Sequence, residues 1–272
     1  MRSLLIRAIR DGFVTNYDLN IQLAQFAPNS AGSVKDKSIL TILSAQQTFP
    51  LFCELLKTLG CASVEVKDIE TICTDSISVS VADQLAKLFN KYGSDKSSFH
   101  DYHLLYGSIL AGRCSDQLDI LEIGIGSNNI SVVSNIGADG HPGASLRAFR
   151  DFLPNSIIYG ADIDSSICFE EERIKTFFVD QTNLNSFNEI SKAIGNKKFD
   201  LIIDDGLHSP NANIATLIFA ISKLKSKGCF VVEDISENSL PIWRVISAIL
   251  PSRYYPLIYR AKNGFLFMMQ NH

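Results

Sequence analysis

The chain contains no C-x-x-C pair. Its cysteines, Cys53, Cys61, Cys73, Cys114, Cys168 and Cys229, stand far apart, so neither a disulfide framework nor a dithiol motif is indicated and reduced, mostly buried thiols are expected. Clusters of basic residues are missing too: lysine and arginine occur singly, and the net charge is −4 with a pI near 5.7. That distribution offers no electrostatic footprint for a nucleic-acid backbone, and nucleic acid is not expected as a partner. The first residues, MRSLLIRAIRDGF, have their apolar run interrupted by Arg7 and Arg10, so no signal-peptide core forms. No continuous run reaches the ~18 apolar residues of a membrane span. The expectation is a cytoplasmic protein without a span. Internal repeats and low-complexity tracts are also absent.

What is present points to an α/β core. At 272 residues and 46% hydrophobic, the chain can bury one full α/β domain and leave a smaller region over. The organising stretch is LDILEIGIG, residues 118–126. It reads as a buried strand that ends in a glycine turn, with Glu122 just ahead of it. Gly124 and Gly126 let the backbone turn sharply and approach a ligand. Downstream, GASLRAFRDFL has Leu146, Phe149 and Leu153 on one helical face, and Pro154-Asn155 ends it. The following strand, 156–160, delivers Asp162, placed as the acid that accepts both hydroxyls of a ribose. Asp162 lies far beyond the usual distance of about 20 from Gly126 and close to that distance from Gly143. Residues 127–142, rich in Ser, Asn and Gly, therefore read as a long loop inserted over the mouth of the site.

Residues 1–80 are harder to read. The segment 40–59 suggests helices broken near Pro50, Gly32 and Gly60 mark turns, and 63–66 and 76–81 read as short strands or edge segments. The simplest account is a small auxiliary or oligomerisation region. Residues 83–91 look helical, with Leu85, Leu88 and Phe89 together. FHDYHLLYGSIL then crowds His100, Tyr102, His103 and Tyr106 onto about two turns. Two histidines three apart have a metal-ligand spacing, but no third ligand lies nearby. They read as packing and hydrogen-bonding residues of a helix that closes over the cofactor mouth.

After Asp162 the βα alternation continues. RIKTFFV ends at Asp180-Gln181, a carboxylate and an amide suited to an adenine edge, with a plain helix N-cap as the equal alternative. FDLII runs into Asp204-Asp205-Gly206-Leu207-His208. Adjacent strand residues face opposite ways, so Asp204 is expected toward the cofactor, and Asp205 with His208 toward the substrate. GCFVV ends in Glu233-Asp234. Acidic strand ends in an open α/β sheet converge on one crevice, and Asp205 and Asp234 on successive strands can offer oxygen ligands to a divalent metal. A helix around Trp243 and two strands, 254–259 and 265–269, close the chain, with Asn263-Gly264 as the hairpin signal. The fold class is α/β, a doubly wound, mostly parallel sheet with an antiparallel C-terminal hairpin and a small N-terminal region.

Taken in order, LEIGIG, GASLRAFRDFLPNSIIYGADID, RIKTFFVDQTN, FDLIIDDGLHS and GCFVVEDI resemble the class I S-adenosylmethionine-dependent O-methyltransferases. Within that class the set is similar to the metal-dependent sugar O-methyltransferases of the macrocin and mycinamicin type. The resemblance covers about 85 to 267, and GSDK followed by His and Tyr also resembles the stretch before the first strand of that group. It implies a methyltransferase domain over 81–272 and S-adenosylmethionine as cofactor. Glu122, Gly124 and Gly126 would line the methionine end with Ser145 beside them, Asp162 would take the ribose, Asp180 and Gln181 the adenine, and Asp204 the region of the amino group. It also implies a divalent cation, magnesium, on Asp205 and Asp234, and His208 as general base. Two departures stand out: Asn129 occupies the third glycine position, and Leu207 stands where a small polar residue is usual. The expected activity is methylation of a hydroxyl on a sugar or sugar-containing acceptor, with a homo-oligomer as the expected assembly. Two rivals are a nicotinamide-dependent oxidoreductase on the same kind of sheet and a non-catalytic cofactor-binding subunit. Asn129 and the closing hairpin disfavour the first. The second needs neither the histidine nor the metal acids.

Overall fold

The computed structural model describes residues 15–272. The amino-terminal run read as lacking a signal-peptide core lies outside these residues, and Arg7 and Arg10 with it. Two compact units are present.

The smaller unit joins the chain up to Ser63 to Pro241–Ala248. It contains α1 (Asn16–Gln22), opened by a Thr15 and Asp18 capping box, and α2 (Val34–Thr58), opened by Ser33, whose hydroxyl accepts from the Asp36 amide. Asn20 links the two helices, donating to Ser38 Oγ at 2.9 Å and accepting from Thr41 Oγ1 at 2.9 Å. The break expected near Pro50 does not occur. The helix carries Pro50 in its interior, accepting the loss of one backbone hydrogen bond. By length and composition α2 is long and apolar enough to cross a bilayer, with little of it buried, but one such helix near the amino terminus is a weak sign and the described residues show no clear membrane span. Between Lys37 and Glu54 there is no charge. Scattered Ser, Thr and Gln break the apolar run without lowering its average far.

The larger unit, Val64–Leu240 with Ile249–His272, follows in order as β1 (Val66–Asp68), α3 (Ser76–Tyr92), α4 (His103–Leu110), β2 (Asp119–Ile123), α5 (Ala144–Phe152), β3 (Ile157–Asp162), β4 (Glu170–Glu171), β5 (Ile174–Phe178), α6 (Leu184–Ile194), β6 (Phe199–Asp204), α7 (Pro210–Lys223), β7 (Leu224–Ile235), the start of α8 (Leu240–Ile249), β8 (Tyr254–Ala261) and β9 (Gly264–Asn271). Residues 76–81 are the first turns of α3 and not a strand. Asp75 caps them, its Oδ1 accepting from the Ile77 and Ser78 amides at 2.9 Å each, and this local cap outweighs the β-leaning Ile-Ser-Val-Ser-Val pattern.

The described strands form one sheet in the order β1-β8-β9-β7-β6-β2-β3-β5-β4. β7, β6, β2, β3 and β5 run parallel, each joined to its neighbours in that order. β9 lies antiparallel between β7 and β8. The hairpin turn falls one residue earlier than its sequence signal: Ala261 pairs with Gly264, leaving Lys262-Asn263 as the loop. Helices α3, α4 and α5 share one core with the sheet, in which Phe89, Tyr106 and Phe149 meet edge to face, the Phe89 and Phe149 centroids 5.3 Å apart. Each such buried ring contributes on the order of 2 kcal/mol, and together they fix α4 against the rim where the strands end.

Candidate active site

The sheet order decides which tips meet. β2 has β3 on one side and β6 on the other, so the connections leave it in opposite directions and open a crevice at its carboxyl end. Gly124, at φ 88°, turns the chain there, and its N–H donates to Ala161 O at 2.7 Å. A Cβ on Gly124 would run into the backbone of Asp205 and Gly206. We expect Gly124→Ala to lower the thermal midpoint by several degrees, because left-handed strain and a backbone clash together cost roughly 1–3 kcal/mol or more. An unchanged melting curve would show that the turn relaxes freely.

Two cavities share Gly124. One, of about 400 Å³, is bordered by Asn129, Asp162, Asp164, Asp180, Gln181 and Leu207, among others. The other, of about 180 Å³, is bordered by Asp95, Lys96, Gly126, His141, Ser145 and Asp205, among others. The segment between β2 and α5 has no helix or strand and contributes to both walls, as expected of a loop over the mouth. Asp162 braces the turn, its Oδ2 accepting from the Ile125 N–H at 2.9 Å and its Oδ1 from the Asp164 N–H at 3.0 Å. Asp180 Oδ1 accepts from the Thr182 amide and hydroxyl.

Three residues placed at the cofactor from the sequence sit one layer back. Glu122 has no exposed surface. Its Oε2 accepts from Ser145 Oγ at 2.6 Å and its Oε1 lies 3.0 Å from Lys96 Nζ, so it acts on the smaller cavity through those two side chains. Asp204 does not face the crevice. Its oxygens accept from Gln181 Nε2 at 2.7 Å and Asn213 Nδ2 at 3.1 Å, and burial pushes its carboxyl pKa up. Gln181 borders the larger cavity, yet its amide is engaged internally: Nε2 also donates to Thr216 Oγ1 at 2.9 Å, and Oε1 accepts from the Leu207 N–H at 2.8 Å. Asp204, Gln181 and α7 thus form a buried strut beneath the crevice.

Asp205, His208 and Asp234 do come together: one ligand atom from each lies within 4.8 Å of the others. His208 Nε2 is 3.8 Å from Asp234 Oδ2. Both His208 and Asp234 are left-handed, each at φ 54°, a conformation that histidine and aspartate tolerate better than most residues and that persists only where the surroundings impose it. Two carboxylates and an imidazole at half-exposed positions suit a divalent cation that retains other ligands.

Sequence reading missed a buried ion group that shares Asp205 with this cluster. Lys96 is 1% exposed, and its Nζ lies 2.6 Å from Asp205 Oδ2, 2.5 Å from Glu233 Oε2 and 3.0 Å from Glu122 Oε1. Burial alone pulls the ammonium pKa down. Attraction by Asp205, Glu122 and Glu233 reverses this and holds it well above the usual value. Burial, with Asp205 adding to it, pushes Glu233 upward, and Tyr106 donates its hydroxyl to Glu233 Oε1. Gly93, the left-handed cap of α3 at φ 79°, reverses the chain and aims Lys96 at the rim. Tyr102 and Tyr106 are fully buried beneath the acids and do not close over the mouth as expected. Their hydroxyls reach β7, which only the tertiary packing of α4 allows. His100 stacks on Tyr102 and points Nδ1 toward Asp234 Oδ1 at 3.4 Å. Burial lowers its pKa, but hydrogen bonding to Asp95 and the charge of Asp234 raise it further, so the net shift is upward. The one sequence signal for this layer was the GSDK run with His and Tyr behind it.

The sheet order, the acidic rim and the glycine turn define a class I methyltransferase fold. No protein-family model matches the chain. Among curated proteins, it is 28% identical over 160 residues to an 8-demethyl-8-alpha-L-rhamnosyl tetracenomycin-C 2'-O-methyltransferase of Streptomyces olivaceus, covering 59% of this chain and 40% of that protein. It is 31% identical over 156 residues to the mycinamicin VI 2''-O-methyltransferase of Micromonospora griseorubida, covering 56% of this chain and 36% of that protein. The solved MycE methyltransferase from the mycinamycin biosynthetic pathway, in complex with Mg, SAH and mycinamycin VI, superposes with a TM-score of 0.55 at 25% identity, covering 69% of this chain and 53% of that one. The chain therefore spans two fifths or less of the curated relatives' length.

Proposed function

We propose that this chain is an S-adenosylmethionine-dependent O-methyltransferase that methylates a hydroxyl of a sugar or sugar-bearing acceptor with the help of a divalent cation, magnesium. The observation that carries the reading is the convergence of Asp205, His208 and Asp234 within 4.8 Å at the edge of a crevice that also holds Asp162, Gly124 and Asp180. The mycinamicin, macrocin and tetracenomycin relatives, O-methyltransferases by name and the last of them named for a rhamnosyl-bearing substrate, support it.

The crevice fits an adenosyl cofactor: an acid at the tip of β3, a glycine turn that admits close backbone approach, and a second cavity beside Ser145 for the amino-acid end. When bound, that cofactor supplies a methyl group on a positively charged sulfur. Asp205 and Asp234 would hold the cation, which when bound favours the ionised form of an acceptor hydroxyl that otherwise loses its proton only far above neutrality. His208 would take the proton that the acceptor oxygen gives up on methylation. The loop between β2 and α5 limits water, and positioning supplies much of the rate. A cytoplasmic setting and a homo-oligomeric state belong to the same proposal. Six unpaired cysteines and the exposed apolar side chains of α2, among them Leu51, Phe52 and Leu55, support them.

The test is methyl transfer from radiolabelled S-adenosylmethionine to deoxysugar glycosides with and without a chelator. Chelation should abolish product and magnesium should restore it, whereas Asp205→Ala should show no magnesium response. Full activity of Asp205→Ala with chelator present would remove the metal from the mechanism.

A further inference from the structure

We infer that Tyr102 is a positioning residue which presents Asp234 to a divalent ion through a single oxygen; the inference rests on the metal reading above. Tyr102 has no exposed surface, and its hydroxyl makes two hydrogen bonds to one residue. It donates to Asp234 Oδ1 at 2.6 Å and accepts from the Asp234 backbone N–H at 3.2 Å. One oxygen atom therefore restrains both the carboxylate and the backbone of a residue held at φ 54°. The phenol ring cannot swing away, because His100 stacks on it with centroids 4.7 Å apart and planes 19° from parallel. The His100 Nδ1 also lies 3.4 Å from the same Oδ1.

The consequence is an asymmetric carboxylate. Oδ1 is turned inward to the tyrosine and histidine. Oδ2 faces the crevice, where His208 Nε2 lies 3.8 Å away. A carboxylate so divided serves a small cation as a monodentate ligand and keeps coordination places for water and substrate oxygens, as octahedral magnesium requires. Hydrogen bonds of this kind behind a ligand raise metal affinity by 10–100-fold.

The experiment titrates the intact chain with Mn²⁺, followed by electron paramagnetic resonance, in wild type, Tyr102→Phe and Asp234→Asn. S-adenosylhomocysteine affinity and the metal-free melting curve are measured alongside. Tyr102→Phe should weaken Mn²⁺ about 10–100-fold and broaden its signal, with S-adenosylhomocysteine affinity within twofold of wild type. Tyr102→4-aminophenylalanine, which restores a donor at the same place, should recover most of the affinity and covers the case in which the phenylalanine variant does not fold. A Tyr102→Phe protein that melts earlier but binds Mn²⁺ as wild type would overturn the inference, leaving the tyrosine a purely structural role. Wild-type protein that fails to bind Mn²⁺, or Asp234→Asn that binds it normally, overturns the metal reading itself and this inference with it.

Discussion

His208→Ala should fold, bind S-adenosylhomocysteine with unchanged affinity, and lose turnover by about 10²–10⁴-fold, the usual contribution of a positioned general base. The side chain is partly exposed and its Nε2 lies 3.8 Å from Asp234 Oδ2, so removing it opens no hole in the core. The backbone at residue 208 is left-handed, and the change to alanine adds about 1 kcal/mol of strain, too little to unfold a domain of this size. Single-turnover methyl transfer is the deciding measurement, together with Mn²⁺ binding. Lost transfer with retained Mn²⁺ affinity assigns the imidazole to the proton. Lost Mn²⁺ affinity makes it a third ligand, which its membership in the 4.8 Å cluster also permits. Turnover within tenfold of wild type would end the base assignment.

Lys96→Met should have the largest effect on stability. It removes the single ammonium that lies among Glu122, Asp205 and Glu233 and leaves buried carboxylates uncompensated. Breaking a buried ion pair from one side costs roughly 3–5 kcal/mol, which lowers the melting temperature by on the order of 10 °C in a protein of this length. The pH dependence has a definite sign. Burial already raises Glu122 and Glu233 above the ordinary glutamate value, and loss of the lysine raises them further. An acid whose folded pKa is raised is harmless below its unfolded pKa, about 4.3 for glutamate, and destabilises progressively as the pH climbs through the folded value. The deficit of the variant against wild type should therefore be smallest below about pH 4 and grow toward neutrality. Urea denaturation of both proteins at several pH values reads this directly. A deficit independent of pH would mean that packing, and not charge, is what Lys96 supplies.

Much of the larger unit was legible along the chain. The strands carrying LDILEI, FDLII and GCFVV fall where their apolar runs predicted. Legibility failed where local signals competed. Pro50 suggested a break that α2 does not make. Residues 76–81 alternate like a strand, but Asp75 caps them as a helix. The mean apolarity of α2 lay hidden behind its scattered polar residues.

At the site, the acids at strand ends were visible because parallel neighbours bring their carboxyl tips to one rim whatever lies between them. Which of those acids reach the crevice was not visible. A strand end says that Asp204 and Asp205 diverge, and no more. The structure turns Asp204 inward to Gln181 and Asn213 and Asp205 toward His208 and Asp234. From the sequence alone came the doubly wound sheet, its glycine turn, the long loop after it and the acidic rim with His208, since each follows from periodicity and turn chemistry within a few residues. Only the tertiary structure placed Lys96, Tyr102 and Tyr106 beneath that rim. Their partners Asp205, just past the end of β6, and Glu233 and Asp234, on β7, lie more than a hundred residues away, and a buried charge or hydroxyl is positioned by what it must be paired with, which no local pattern encodes.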